Sequence, residues 1–425
     1  MSQSNGPAKS CLVGELGKVH FRKIGSLSAA ELNNALQEKT TYGLSSYEIY
    51  NENNVAPPFT ESIGASNGAK FYRVIYNTVV PETGREERVS GLLAIPRNKG
   101  KNLPMVSWQH GTILDGNDAP SMLINHDEVV REANGIPRSA QTLLGVVKLT
   151  GNGYIMSAAD YIGNGRSDNT QAYGVKGATN QTIQDMLTAT NAVLEKLGYN
   201  SQKRMLLGTS QGGLASQWLS SALERDGNPP DRTAAVVSPT VLSAVMGYWA
   251  NDYPGEPPFL TAFVPLVLGS YEKYYGIRGL MADAVKPEYL GTAKKIYNRK
   301  IDWSTVDQPT NPNEGFLGLP SKPIDMLTGS FIEEFNAGKG RFYKTLSKNT
   351  ALEGRFTNPS RFYSGGSDTV IPTEVAITLP VENQKQLGSD LAQGIFTSEA
   401  GTHSSVFVES LYGPLNVLDW FNAAL

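Results

Sequence analysis

Short apolar runs, each closed by glycine, proline or a polar residue, recur along the chain. They are PMVSWQHG (104–111), GYIMSAADY (153–161), RMLLG (204–208), TAAVVSP (233–239) and RFYSGG (361–366). Runs this short and this apolar predict strands buried on both faces. Between them, TIQDMLTATNAVLEKLG (182–198) and GLASQWLSSALE (213–224) carry apolar residues at helical spacing. Strand alternating with helix predicts a mostly parallel central sheet flanked by helices, an α/β class. Upstream, FYRVIYNTVV (71–80) and RVSGLLAIP (88–96) enclose the turn-prone PETGREE. This pattern predicts an antiparallel hairpin at the sheet edge, with the sheet beginning there.

The alternation is absent at two places. Residues 1–65 are polar around one short helical segment, SAAELNNAL, with a cap residue at Ser28. They read as an N-terminal extension wrapped on the domain. Between 240 and 350 no clear strand occurs, and a structureless loop of that length does not fit a compact domain. The segment is rich in aromatics (Tyr248, Trp249, Tyr253, Phe259, Phe263, Tyr271, Tyr274, Tyr275). It predicts a mostly helical cap inserted into a core made of 66–239 and 351–425; an extra packing layer without substrate contact is the competing reading.

With 425 residues, 40% hydrophobic and 18% charged, the chain has the composition of one elaborated globular domain. A net charge of -3 and no run of Lys and Arg argue against nucleic acid and anionic membrane partners. The apolar stretch LTAFVPLVL (260–268) is too short to span a bilayer. Cys11 is the single cysteine, so no intramolecular disulfide forms, which favours a reducing compartment. The opening residues contain no apolar signal segment. The expectation is a cytoplasmic protein, the alternative being an exported form whose signal has been removed.

Candidate chemistry centres on Gly208-Thr209-Ser210-Gln211-Gly212-Gly213, which follows the apolar RMLL and precedes an amphipathic helix. A serine hydroxyl is a weak nucleophile, and it becomes useful when a sharp strand-to-helix turn exposes it to a base. Four histidines are available. His20 lies in the extension, His126 sits among charges in NHDEVVRE, and His110 precedes a loop with another task. His403, between the strand-like GIFTSE and the C-terminal helical pattern, is the candidate base. Asp368 in SGGSDTVIP is the candidate acid that holds the imidazole tautomer; a plain turn aspartate is the competing reading. Glu374 and Asp390 are the nearest alternative carboxylates in sequence.

A tetrahedral oxyanion needs preorganised N–H donors. Gln211 supplies one candidate amide; Thr112, with Gly111 as alternative, supplies a second from the loop after PMVSWQ. His110 reads as a brace for that loop, Asp160 as a structural residue bonding loop amides, and Tyr161 as a residue at the site's edge. G-N-G at 163–165 lacks the third glycine of a dinucleotide fingerprint and a following P-loop lysine. No H-E-x-x-H or Cys/His cluster suggests a metal, and the chemistry calls for no cofactor.

The segments VIYNTVVPETGREERVSGLLAIP, PMVSWQHGT, ADYIGNGRSD, GTSQGG, SPTVLS and GGSDTVIP, in this order, resemble the secretory-lipase and prolyl-oligopeptidase-like esterase branch of the α/β-hydrolases. The resemblance covers roughly 71–425. It implies an α/β-hydrolase fold with a helical cap, a serine ester hydrolase, and a triad at Ser210, Asp368 and His403. Two features depart from that branch, the missing export signal and the missing cysteine pair, and both count against secretion and a long-chain fat substrate. The expected reaction is hydrolysis of a small-molecule ester through an acyl-enzyme, with Tyr248, Trp249 and Phe263 of the cap lining the substrate pocket. A peptidase or amidase with the same triad, and a non-catalytic binding protein of the same fold, are the rivals.

Overall fold

The computed structural model describes residues 13–16, 19–37, 64–131, 137–301 and 316–425. Ten strands form one sheet in the order β1-β2-β3-β4-β8-β5-β9-β10-β11-β12. In chain order these are β1 (Val13–Leu16), β2 (Val19–Leu27), β3 (Ala69–Val80), β4 (Arg85–Pro96), β5 (Asn102–Gln109), β8 (Ile155–Ala159), β9 (Asn200–Thr209), β10 (Arg232–Val236), β11 (Ser360–Ser364) and β12 (Ala392–Phe396). Two further strands, β6 (Ile124–Asn125) and β7 (Glu128–Val129), pair only with each other. From β8 to β12 every pairing in the sheet is parallel, and from β1 to β4 every pairing is antiparallel.

Successive side chains of the inner strands enter cores on opposite faces of the sheet. All five residues of β8 are buried, as its continuous apolar run requires. On β5, Val106 and Trp108 point into a core shared with the helices Ala140–Lys148, Ser405–Tyr412 and Val417–Asn422. Met105, the neighbour of Val106, points into the opposite core, where helices Lys176–Lys196 and Gln211–Arg225 pack.

The hairpin of β3 and β4 forms as the sequence pattern predicts, but not at the edge of the sheet. β2 pairs along β3 and β1 pairs on β2, so the sheet begins inside the stretch read as an extension. A bulge between Lys23 and Gly25 explains why β2 escapes a pattern search: it shifts the two-residue alternation by one place in mid-strand. The helix Ala29–Gln37 that follows starts with a capping box. Ser28 Oγ accepts from the Glu31 amide at 3.1 Å, and the Glu31 carboxylate accepts from the Ser28 amide at 2.6 Å.

Between β10 and β11 the described residues are mainly helical, with Leu242–Asn251, Phe263–Tyr274, Pro287–Tyr297 and Gly329–Asn336 the longest helices. Their aromatic side chains make a core of their own. Phe342 lies 5.3 Å from Tyr271, 5.7 Å from Phe331 and 5.9 Å from Phe335, ring centre to ring centre. This core continues into Leu214 and Trp218 of the helix after β9 and into Val370 and Ile371 after β11. Phe342→Ala should therefore cost about 3–5 kcal/mol, measured as a loss of chemical-denaturation stability; a change below about 1 kcal/mol would show that the ring is not a packing anchor.

Candidate active site

The chain leaves β5 for β8 on one side and returns to β9 on the other, so the loops after β5 and β9 diverge at the carboxyl end of the sheet. Such a switch point opens a crevice where open α/β sheets bind ligands. Ser210 is the first residue beyond β9, held at φ 54° and ψ -121°, and helix Gln211–Arg225 starts immediately after it. Its amide donates to the Val236 carbonyl at 2.8 Å. The flanking glycines are a steric necessity. A Cβ on Gly208 would lie 2.1 Å from the Gly212 carbonyl oxygen, and one on Gly212 would lie 2.0 Å from that of Gln109.

The three residues read as a triad come together from three loops. His403 Nε2 lies 3.0 Å from Ser210 Oγ, and His403 Nδ1 lies 3.0 Å from Asp368 Oδ2. A carboxylate can only accept, so Nδ1 carries the proton and Nε2 presents its lone pair to the serine hydroxyl. The Asp368 side chain has no solvent exposure, and its other oxygen accepts from the amides of Val370 at 2.8 Å and Ile371 at 3.0 Å. Glu374 and Asp390 are exposed and stand outside this chain of bonds. The acid and histidine loops are stitched together: the Gly366 amide donates to the Ser398 carbonyl at 2.9 Å, and the Ser367 amide to that of Gly401 at 3.0 Å.

Of the amides expected to face an oxyanion, that of Gln211 begins the helix and that of Thr112 follows β5; among the described residues neither has a protein acceptor. Gly111 departs from expectation, because its N–H donates to Gln141 Oε1 at 2.9 Å and is already engaged. His110 is buried, with Nδ1 2.7 Å from the Gly111 carbonyl and Nε2 3.2 Å from that of Asp160, so it ties the loop after β5 to the end of β8. The Asp160 carboxylate accepts from the Ser121 amide at 2.8 Å and from Ser90 Oγ at 2.5 Å. Burial pushes the Asp160 carboxyl up and holds the His110 imidazole down.

The aromatic residues expected to meet substrate divide. Trp249 lines a small apolar cavity of about 20 Å³ beside Gln211, together with Tyr173, Leu214, Leu242 and Met246. Tyr248 instead turns its hydroxyl to the Thr369 carbonyl at 2.9 Å. Phe263 is packed between Phe259 and Tyr173 and does not line the cavity. Tyr161 is 4% exposed, stacks on His110 at 4.2 Å and donates its hydroxyl to the His110 carbonyl at 3.3 Å. Two residues not foreseen from sequence act here. Gln141 holds the Gly111 amide, and the Tyr173 hydroxyl bonds Thr112 Oγ1 at 2.6 Å. Both reach the loop from distant segments, and no local motif marks either. Among the described residues no group of three or more His, Cys, Asp or Glu side chains could hold a metal, and no helix is long and apolar enough to cross a membrane.

No protein-family model and no curated protein sequence matches the chain. Solved structures do match. A Legionella pneumophila protein shares 18% identity over 95% of this chain and 97% of that one, with a TM-score of 0.76. The rice cell wall degrading esterase LipA from Xanthomonas oryzae shares 18% identity over 99% and 100%, with a TM-score of 0.73. Candida antarctica lipase A in its closed state shares 15% identity over 81% and 75%, with a TM-score of 0.61. The fold is the α/β-hydrolase fold, of the type seen in these lipases and esterases.

The steric argument at the elbow has a direct consequence. Gly212→Ala should lower stability by about 3 kcal/mol, the upper end for overpacking, because the Gln109 carbonyl belongs to a central strand and cannot yield. An unchanged denaturation midpoint would refute the proposed contact.

Proposed function

We propose that the chain is a serine hydrolase that cleaves carboxylic esters through an acyl-enzyme on Ser210. The observation that carries this reading is the unbroken hydrogen-bonded series from buried Asp368 through His403 to Ser210 Oγ. As Oγ attacks the ester carbonyl carbon, His403 Nε2 takes the hydroxyl proton and Asp368 stabilises the imidazolium. The carbonyl oxygen becomes an oxyanion, and the amides of Gln211 and Thr112 are the donors available to it. Collapse of the tetrahedral intermediate breaks the bond to the alcohol oxygen, which leaves with the proton from His403. Water then attacks the acyl-enzyme with His403 again as base, the carboxylic acid departs, and Ser210 recovers its proton.

No charged side chain lines the small cavity beside Gln211, which favours an ester whose group nearest to it is uncharged and apolar. That two of the structural neighbours are an esterase and a lipase favours esters over peptides in the same site. Labelling with a fluorophosphonate, followed by rates on p-nitrophenyl esters and matched anilides, tests the reading. Ester turnover with covalent label on Ser210 supports it. Failure to label, or a preference for the anilide, counts against it.

Ser210→Ala should lower kcat by roughly 10⁴-fold or more while leaving the fold intact. Asp368→Asn should reduce kcat by about 10⁴-fold with little change in substrate binding, because the imidazole is then held in the wrong tautomer. A folded Ser210→Ala protein keeping a tenth of wild-type activity would exclude the serine as nucleophile. A nearly silent Asp368→Asn would exclude the aspartate as acid.

A further inference from the structure

Two consecutive peptide groups join the Asp368 carboxylate to two side chains of the helix Leu242–Asn251. In the first, the Val370 N–H donates to Asp368 Oδ1 at 2.8 Å while the Thr369 carbonyl accepts from the Tyr248 hydroxyl at 2.9 Å. In the second, the Ile371 N–H donates to the same Oδ1 at 3.0 Å while the Val370 carbonyl accepts from Trp249 Nε1 at 2.9 Å. Each peptide plane is thus held at both ends. Thr369 Oγ1 adds a third tie, donating to the Glu256 carbonyl at 2.6 Å.

We infer that Tyr248 and Trp249 are positioning residues, which set the angle of the two amides that orient Asp368 and through it the imidazole of His403. This rests on the reading of Asp368, His403 and Ser210 as a catalytic unit, and it gives the segment between β10 and β11 a role in the chemistry besides lining a cavity. A peptide group is rigid, so fixing its carbonyl fixes the direction of its N–H. A donor bonded to the carbonyl also polarises the N–H at the far end and strengthens its bond to the carboxylate. Val370 and Ile371 are each 1% exposed, so water does not substitute for a lost partner. Burial holds the Tyr248 phenol above its ordinary range, and the Asp368 charge adds to the shift, so the hydroxyl keeps its proton. Adjacent residues on a helix point in different directions, and here Tyr248 and Trp249, in its last turn, reach consecutive carbonyls of one turn.

Tyr248→Phe and Trp249→Phe remove the donors and keep the rings, so Trp249→Phe leaves an aromatic wall in the cavity. Each should lower kcat by about tenfold and the pair by about a hundredfold, the order expected for a misplacement near 1 Å. KM and the ratio of rates on short and longer acyl esters should stay as in the wild type. The downfield proton signal of the His403 Nδ1–H bond to Asp368, read by NMR without any substrate, should shift or broaden in the pair. Phe342→Leu, whose ring partners Tyr271, Phe331 and Phe335 all lie within the insertion, should lower Tm and leave kcat and the proton signal unchanged. A folded double variant that keeps more than half of wild-type kcat and an unaltered proton signal would overturn the inference, as would a change confined to chain-length preference. If the double variant does not fold, the same readouts on each single variant decide. Fluorophosphonate labelling of the wild type separates the two levels. A labelled wild type with unaffected variants refutes the positioning role alone, whereas an unlabelled wild type refutes the serine-hydrolase reading and the catalytic role of the clamp with it.

Discussion

Ser210 can stand at the mouth of the crevice because the helix that follows β9 begins in contact with the backbone of β5. The contact leaves no room for a β-carbon at Gly212, and the start of the helix itself, at Gly212 and Ser216, leaves none at Gly208. It also forces the intervening serine into a positive φ that only a firmly held turn sustains. The Ser210 amide, bonded to the Val236 carbonyl of β10, supplies part of that hold. Once the turn is held, the Gln211 amide that begins the helix directly follows the residue that carries the hydroxyl. The helix N-terminus adds a favourable field for negative charge at that point.

Two buried carboxylates flank this turn, and their surroundings give them different tasks. Asp368 meets two amides and the imidazole of His403, so its negative charge is compensated on every side that the structure describes. Asp160 meets an amide and a hydroxyl, and burial raises its pKa alongside a neighbouring histidine whose pKa burial lowers. The first arrangement suits a group that must respond when a proton moves. The second suits a fixed joint, and it anchors the loop that carries Thr112 to the strand beside it. Gln141 and Tyr173 complete that anchoring from outside the loop.

The insertion between β10 and β11 combines packing with placement. Most of its aromatic side chains fill its own core, which continues into the helix behind Ser210 and into the residues after Asp368. Continuity of that kind means the acid turn is not a free loop on a rigid sheet. Its backbone carbonyls are bonded by side chains of the insertion, while its amides face inward to the carboxylate. The same helix that walls the apolar cavity therefore bears on the geometry of the acid.

The sequence by itself determined the parallel part of the sheet, the elbow, and the meeting of Ser210, Asp368 and His403, because each is written in local terms. Apolar runs report burial, glycines two places either side of a serine report a steric limit, and residues on loops after parallel strands must emerge at one end of the sheet. Tertiary structure alone decided the rest. The strand Val19–Leu27 is masked in sequence by its bulge, so the hairpin Ala69–Val80 and Arg85–Pro96 became interior to the sheet instead of its edge. Gly111 lost its place as an oxyanion donor to Gln141, Tyr161 became a stacking partner of His110, and Phe263 became core. Tyr248 turned its hydroxyl to a backbone carbonyl. Hydrogen bonds from side chains to distant backbone groups have no periodicity and no fixed spacing. An aromatic residue fills a core and lines a pocket with the same composition, so only the packed structure separates the two.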